Sequence, residues 1–144
     1  MKKPSEIIKA RLNESKKRYY CNDNISEAME GINFDDLVNE VAEKMQGVLE
    51  SLVIDTENDH NTHDTARRVA KMFVRETFGG RYSPEPAVTA FPNANAYDEV
   101  YVTGPITIRS TCAHHFQGIK GRAYIGVFPG KNVIGLSKFN RISQ

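Results

Sequence analysis

Residues 100–128 read VYVTGPITIRSTCAHHFQGIKGRAYIGVF, and the architecture that we predict rests on this segment. Two runs rich in β-branched and aromatic residues, Val100–Arg109 and Gly121–Phe128, flank a short polar stretch, which is typical of two paired antiparallel strands. In the second run apolar residues alternate on both faces, so we expect at least one face to be buried against helices or another subunit. Residues 112–115 then lie in the connection between the two strands.

A long helix is predicted to precede the strands. From Phe34 onward, apolar residues recur with the i, i+3, i+4, i+7 spacing of one helix face, with Asn33 as the N-cap and an end near Val53. Residues 1–33 are rich in Lys, Glu, Ser and Asn, and we expect a loosely attached arm with a short helix from Ser5 to Tyr19.

A second helix is predicted to begin near Thr62 or Asp64, either of which can cap it, and to end at residues 79–80, which are both glycine. Its apolar stripe is predicted to bury Val69, Met72 and Phe73. Prolines in the segment from Arg81 to Tyr97 exclude a long helix there and favour an extended crossing. Helices followed by an antiparallel hairpin indicate the α+β class.

Within the strand connection, residues 110–115 read STCAHH and bring Cys112, His114 and His115 together in sequence. A thiolate and imidazoles are the ligands that zinc prefers, and a second imidazole beside a metal can transfer protons. The alternative is that Cys112 is a small apolar residue and that the histidines are ordinary polar residues at a strand end.

A second segment with candidate functional residues follows at residues 134–141, which read IGLSKFNR. If a helix starts near Ser137, then Lys138 and Arg141 share one face of its first turn, and two cations beside free backbone N–H groups suit a phosphate chain. The alternative is a solvated basic helix start without a ligand.

Composition narrows the class of protein only slightly. The 144 residues predict one domain, and a net charge of +1 gives no global signal for nucleic acid or membrane. The two cysteines are far apart and no apolar run approaches ~18 residues, so we expect a cytoplasmic chain with reduced thiols.

Several separate motifs carry a family resemblance. The runs STCAHHF, GRAYIGVFPGKNVIGLSKFNRI and DTARRVAKMF (64–73) closely resemble GTP cyclohydrolase I in order and spacing, from about Tyr19 to the last residue. The stretch from Val53 to Met72 and the run YYCNDNI resemble a bacterial and phage-type branch of that family. The resemblance implies an α+β domain of the tunnelling-fold type.

The resemblance also implies roles for particular residues. It assigns Cys112 and His115 as zinc ligands and His114 as the acid and base that transfers protons. It places the triphosphate of GTP on the side chains of Ser137, Lys138 and Arg141, and it gives Arg68 a contact with the triphosphate of a neighbouring subunit. The implied reaction is hydrolytic opening of the imidazole ring of GTP, release of formate and formation of 7,8-dihydroneopterin triphosphate. This is the first step of tetrahydrofolate or 7-deazaguanine synthesis. The implied assembly is a homo-oligomer, a decamer of two pentamers.

The chain departs from the family pattern in two respects. Ala113 stands where the family usually has glutamate or another polar residue. The chain also ends before the part of the family that holds the third zinc ligand, so residues 34–144 are expected to be a C-terminally truncated domain. Within the chain, the other cysteine and histidines are Cys21, His60 and His63, and their spacing from Cys112 places none of them at a metal. The alternative function is a non-catalytic fragment, or one half of a split enzyme, that binds GTP or a partner subunit.

Overall fold

The computed structural model describes residues 2–143. They form two compact units, Met1–Pro84 and Glu85–Gln144. The boundary expected between residues 33 and 34 lies inside the first unit. The first unit is helical and the second holds an antiparallel hairpin, which confirms the predicted α+β class. Within residues 2–143, every helix is too short or too polar to cross a bilayer.

The first unit consists of helices and helical turns. They are α1 (Pro4–Glu14), a 3₁₀ turn (Ser26–Met29), α2 (Phe34–Ser51), α3 (Thr65–Met72), a π-helical turn (Phe73–Thr77) and α4 (Gly79–Tyr82).

Helix α2 confirms the predicted helix and its cap. The side chain of Asn33 accepts a hydrogen bond from the backbone N–H of Asp35 at 2.8 Å, which satisfies one of the free donors at the helix start. At the other end, Val53 adopts a left-handed conformation with φ of 59°, and the N–H of Ile54 donates to the carbonyl of Leu49 at 3.1 Å. This bond closes a Schellman motif, which ends the helix at Ser51, two residues before Val53.

The N-terminal segment is not a loosely attached arm, and that expectation is wrong. Ile8 and Leu12 of α1 are buried in the same apolar cluster as Leu37, Val38 and residues of the 3₁₀ turn. Arg11 adds polar contacts, because its guanidinium donates to the carbonyl oxygens of Ala28 and Glu30 at 2.8 and 2.6 Å. Only positions 8 and 12 of this helix carry buried apolar side chains, and charged residues surround them. The sequence therefore indicated only weakly that the helix is buried.

Helix α1 is also shorter than predicted. It ends at Glu14 instead of Tyr19, because Lys16 turns to a left-handed conformation with φ of 52°. The N–H of Lys17 then donates to the carbonyl of Leu12 at 2.9 Å, in a second Schellman motif.

Helix α3 begins after Asp64, as predicted, but it buries a different stripe. Ala70 and Val74 are fully buried, whereas Met72 is exposed and Val69 and Phe73 are only partly covered. Ala70 packs in the same core cluster as Leu37 and Val38 of α2, and the π-helical turn after Met72 shifts the angular position of the residues that follow. The predicted buried set of Val69, Met72 and Phe73 is therefore wrong.

The second unit contains two pairs of strands. Strands β2 (Tyr101–Thr111) and β3 (Gly118–Val127) form the predicted antiparallel hairpin. Strands β1 (Ala90–Pro92) and β4 (Asn132–Ile134) form a second, short antiparallel pair that the sequence did not indicate. Strand β1 lies inside the proline-containing segment 81–97, which holds no long helix and is extended at β1, as predicted. Helix α5 (Ser137–Ile142) follows β4.

The two faces of the hairpin differ in exposure. One face is covered, with Ile106 buried and Ile125 and Val127 half-buried, and the ring of Tyr101 lies 6.5 Å from that of buried Phe139. The opposite face, which we call the outer face, is exposed to solvent. Its side chains are those of Val102, Thr107, Arg109, Lys120, Arg122 and Tyr124.

The packing of α1 can be tested by truncating Leu12, whose side chain is only 3% exposed. Leu12→Ala is expected to lower the free energy of unfolding by about 2–5 kcal/mol, because the shortened side chain leaves a cavity in the cluster. The measurement is urea unfolding followed by circular dichroism. Lys9→Ala, an exposed position of the same helix, is the control and should change that free energy by less than ~0.5 kcal/mol. Equal and small effects of the two substitutions would restore the loosely attached arm.

Candidate metal and phosphate site

The loop that joins β2 to β3 carries Cys112, His114 and His115, the three candidate metal ligands, at the tip of the hairpin. Thr111 and Gly118 are the last paired residues, and the N–H of Cys112 donates to the carbonyl of Gln117 at 2.9 Å. Inside the loop, the N–H of Phe116 donates to the carbonyl of Cys112 at 2.8 Å, and Phe116 turns to a left-handed φ of 55°. These bonds close a compact loop over residues 112–117.

The loop lowers the pKa of Cys112. The main cause is the backbone N–H of His114, which donates a hydrogen bond to the sulfur, followed by the N–H of His115; partial burial acts weakly in the opposite direction. Both N–H groups favour the thiolate because they stabilise negative charge on Sγ. The thiolate is the form of cysteine that binds metals and attacks electrophiles.

The ring of His114 lies beside this sulfur, and both histidines face solvent. The Sγ atom of Cys112 is 3.7 Å from Nδ1 of His114, and the rings of His114 and His115 have centroids 6.3 Å apart. The structure therefore brings together the three residues that the sequence singled out. A thiolate next to an exposed imidazole can bind a soft metal ion or exchange protons with it.

The side chains in the loop are of the types that zinc prefers, but they are fewer than a zinc site generally needs. Sulfur and imidazole nitrogen are preferred zinc ligands, yet a zinc site generally uses about three or four protein groups. Across residues 2–143, no group of three or more His, Cys, Asp or Glu side chains is arranged to hold a metal ion. Cys21, His60 and His63, the other candidates in the chain, all belong to the first unit.

Ser137, Lys138 and Arg141, the candidate phosphate-binding residues, lie on α5, as predicted. Lys138 is half-buried, whereas Ser137 and Arg141 are exposed, and none of the three side chains forms a hydrogen bond or ion pair with another residue in the 2–143 range. The helix spans only six residues, so its dipole is small and the two cationic side chains supply most of the attraction for an anion.

The strand pair β1–β4 positions this segment, and sequence reasoning missed it. The N–H of Gly135 donates to the carbonyl of Thr89 at 3.3 Å, and a Cβ atom at Gly135 would lie 3.2 Å from Phe91. Glycine thus lets the chain pass close to Phe91 just before α5 begins. The pairing joins residues that are far apart in the chain, so the sequence held no local signal of it.

Arg68 is exposed on α3 in the first unit. It forms an ion pair with Asp64 at 3.7 Å, one helical turn earlier. The adjacent Arg67 instead donates to the side-chain oxygen of Asn39 on α2 at 2.7 Å. The exposed ion pair of Arg68 is weak in water, so its guanidinium is available to a stronger anion.

A cavity of about 590 Å³ lies in the second unit, beside the residue that precedes α5. Residues 95–101 line it together with Val133, Ile134 and Leu136. Asp98 and Glu99 bring carboxylates to its wall, which disfavours phosphate inside it. The cavity does not include the hairpin loop.

Helices that lead into an antiparallel hairpin, with a cysteine and two histidines at the hairpin tip, define an α+β protein with a cysteine–histidine loop site. The sequence model of the family described as GTP cyclohydrolase I matches residues 41–144. The chain belongs to the GTP cyclohydrolase I family, and its architecture is of the tunnelling-fold type.

Curated relatives agree with this assignment. The chain is 43% identical to GTP cyclohydrolase 1 of Yersinia enterocolitica serotype O:8 over 105 residues, which cover 72% of this chain and 47% of the relative. It is 41% identical to GTP cyclohydrolase 1 of Actinobacillus pleuropneumoniae serotype 5b over 106 residues, 73% of this chain and 48% of the relative. The corresponding protein of Aeromonas salmonicida is 43% identical over 101 residues, 69% and 46% of the two chains. The chain thus spans about half the length of the curated relatives it matches.

The lowered pKa of Cys112 can be tested by alkylation with iodoacetamide. In metal-free Cys21→Ser protein, the alkylation rate should rise with pH as the Cys112 thiolate forms. Its midpoint should lie at lower pH in the folded protein than in the same protein unfolded in urea, because unfolding removes the two backbone N–H groups from the sulfur. Coincident midpoints for the folded and unfolded protein would contradict the hydrogen bonds to Sγ.

Proposed function

We propose that this chain carries the GTP cyclohydrolase I reaction: zinc-dependent hydrolytic opening of the imidazole ring of GTP, with release of formate and formation of 7,8-dihydroneopterin triphosphate. The observation that supports it best is the loop geometry, in which a thiolate-prone Cys112 lies 3.7 Å from His114. Family membership and the relatives named GTP cyclohydrolase 1 support the same reaction.

In this proposal Cys112 and His115 hold the zinc ion, together with ligands from outside the loop. Zinc, when bound, supplies a Lewis acid that makes water a better nucleophile at neutral pH. His114 is the acid and base: its exposed imidazole takes a proton from the attacking water and returns it to the imidazole ring of GTP as that ring opens. Imidazole is the side chain that most often performs both tasks in enzymes.

The other proposed contacts hold the triphosphate. Lys138 and Arg141 offer two cations without partners among the described residues, and the hydroxyl of Ser137 can donate a hydrogen bond. Arg68, on the other unit's α3, is proposed to bind the triphosphate held by a neighbouring subunit, which requires a homo-oligomer. The exposure of Arg68 and its weak pairing with Asp64 support this role.

A second candidate function is favoured by one observation. The absence of a ready group of three metal-binding side chains in residues 2–143 favours a chain that binds GTP or a partner subunit without catalysis. Such a chain would be a non-catalytic fragment or one half of a split enzyme. It would retain the triphosphate contacts and lack stable zinc.

The role of His114 can be tested with His114→Ala. This variant should keep its zinc and lose GTP turnover by about 10²-fold or more, because a positioned acid and base is removed while the ligands stay. Bound zinc and turnover are measured on the same sample. The matched variant His115→Ala should lose zinc as well as turnover. Loss of zinc from His114→Ala would instead place His114 among the ligands.

The phosphate contacts can be tested with Lys138→Ala. The affinity for GTP, measured by titration calorimetry, should fall about tenfold or more, since a hydrogen bond to a charged group contributes ~1.5–3 kcal/mol. The affinity for guanosine should not change, because guanosine has no phosphate. Lys131→Ala removes another exposed cation of the same unit and should leave both affinities unchanged. Equal weakening of GTP and guanosine would contradict the proposed contact.

A further inference from the structure

The charges of the chain are distributed unevenly along it. Six of the 19 Lys and Arg residues lie between Tyr101 and Gln144, and none of the 18 Asp and Glu residues does. The net charge of +1 therefore conceals a strongly cationic C-terminal part. Half of these six cations lie on the hairpin, at Arg109, Lys120 and Arg122.

The register of the hairpin places these three cations on one face. Arg109 is directly opposite Lys120, and Arg122 is opposite Thr107, the next position along the same face. Directly opposed side chains have Cβ atoms about 5 Å apart, and like charges at that distance destabilise a sheet. All three side chains are exposed, and none of them has a hydrogen bond or ion pair within the described part of the chain. The protein thus maintains an unneutralised cationic cluster on its outer face.

An aromatic ring continues this cluster. Tyr124 follows Arg122 on the same face of β3 and is 63% exposed. A Cβ atom at Gly104 would lie 2.7 Å from Cδ1 of Tyr124, and Gly104 has a φ of +150°, so glycine is required there on both counts. The tyrosine ring therefore lies against the backbone of β2 at Gly104 and leaves its other side open to solvent.

We propose that the outer face of the hairpin binds a nucleoside triphosphate, at a site separate from Ser137, Lys138 and Arg141. The base stacks on the open side of Tyr124, and the phosphate chain lies along Arg122, Lys120 and Arg109. Aromatic side chains accept bases by stacking, and guanidinium groups bind phosphate oxygens in pairs. A bound triphosphate also removes the repulsion between the opposed cations, so binding stabilises the hairpin.

The size of the face favours a single nucleotide over a nucleic-acid strand. From Tyr124 to Lys120 the strand covers about 13 Å, at ~3.3 Å per residue. The irregular pairing between Thr103 and Ile106 limits the face at one end, and the 112–117 loop limits it at the other. One aromatic ring and three cations fit one base and one phosphate chain. This inference does not depend on zinc or on the proposed cyclohydrolase reaction.

The test uses the full chain carrying Lys138→Ala, so that the α5 contacts do not contribute, and compares ATP, inorganic triphosphate and adenosine by titration calorimetry. In that protein, Arg109→Gln, Lys120→Gln and Arg122→Gln should each weaken ATP and triphosphate about fivefold or more, as expected for a lost contact between a charge and phosphate. Tyr124→Leu should weaken ATP about fivefold or more by removing the stacking and should leave triphosphate unchanged. Lys131→Gln is the control cation and should change neither affinity.

Thermal unfolding of each variant separates lost binding from lost folding. Arg122→Lys should retain more affinity for triphosphate than Arg122→Gln, because it keeps the positive charge. Unchanged ATP affinity in the protein that lacks all three outer-face cations would overturn the site. Equal weakening of ATP and triphosphate by Tyr124→Leu would overturn the stacking. Affinity for oligothymidylate that increases with its length and exceeds that for ATP would show that the face binds a nucleic-acid strand, and would overturn the nucleotide proposal.

Discussion

The pairing register of β2 and β3 is the constraint on which the rest of the second unit depends. The last pair, Thr111 with Gly118, brings Cys112 and Gln117 within hydrogen-bond distance and so closes the loop that carries the histidines. The same register separates the covered face from the outer face. A slip of β3 by one residue would turn its side chains to the opposite faces, which would bury that of Arg122 and expose those of Ile125 and Val127. Register therefore determines both the chemistry of the loop and the charge of the sheet surface.

The loop favours the thiolate form of Cys112 through backbone groups rather than through a neighbouring cation. Because the N–H groups of His114 and His115 point at Sγ, the pKa of Cys112 falls without help from a lysine or arginine. The imidazoles remain exposed and are free to bind a metal ion or to transfer protons. The side chain of Ala113, which lies between the cysteine and the first histidine, does not alter these backbone donors.

Sequence predicts those parts of the protein whose signal is local and periodic. Helix α2 was predicted with its cap at Asn33 because its apolar stripe is long, and the hairpin was predicted because two β-rich runs flank a short polar segment. The burial of α1 was missed, because Ile8 and Leu12 can be recognised as core residues only once α2 is seen to pack against them. The buried stripe of α3 was misplaced, because close helix packing selected small Ala70 over the larger Val69 and Met72. The pairing of β1 with β4 joins residues that are far apart in the chain.

The residues of the candidate site likewise divide into those that the sequence reveals and those that only the structure reveals. Cys112, His114 and His115 are adjacent in sequence and were recognised there, as were the cations of α5. The backbone donors to Cys112 are invisible to sequence because they depend on the loop conformation. The cationic outer face was also invisible, since Arg109, Lys120 and Arg122 become neighbours only through the strand register. A net charge near zero gave no reason to look for it.

The most direct test of the cyclohydrolase function is formate release from GTP labelled at C8, with bound zinc counted on the same protein sample. We predict that formate appears in equal amount to dihydroneopterin triphosphate, and only in samples that hold about one zinc ion per chain. Zinc-loaded protein that leaves the C8 label in intact GTP would contradict the proposed reaction.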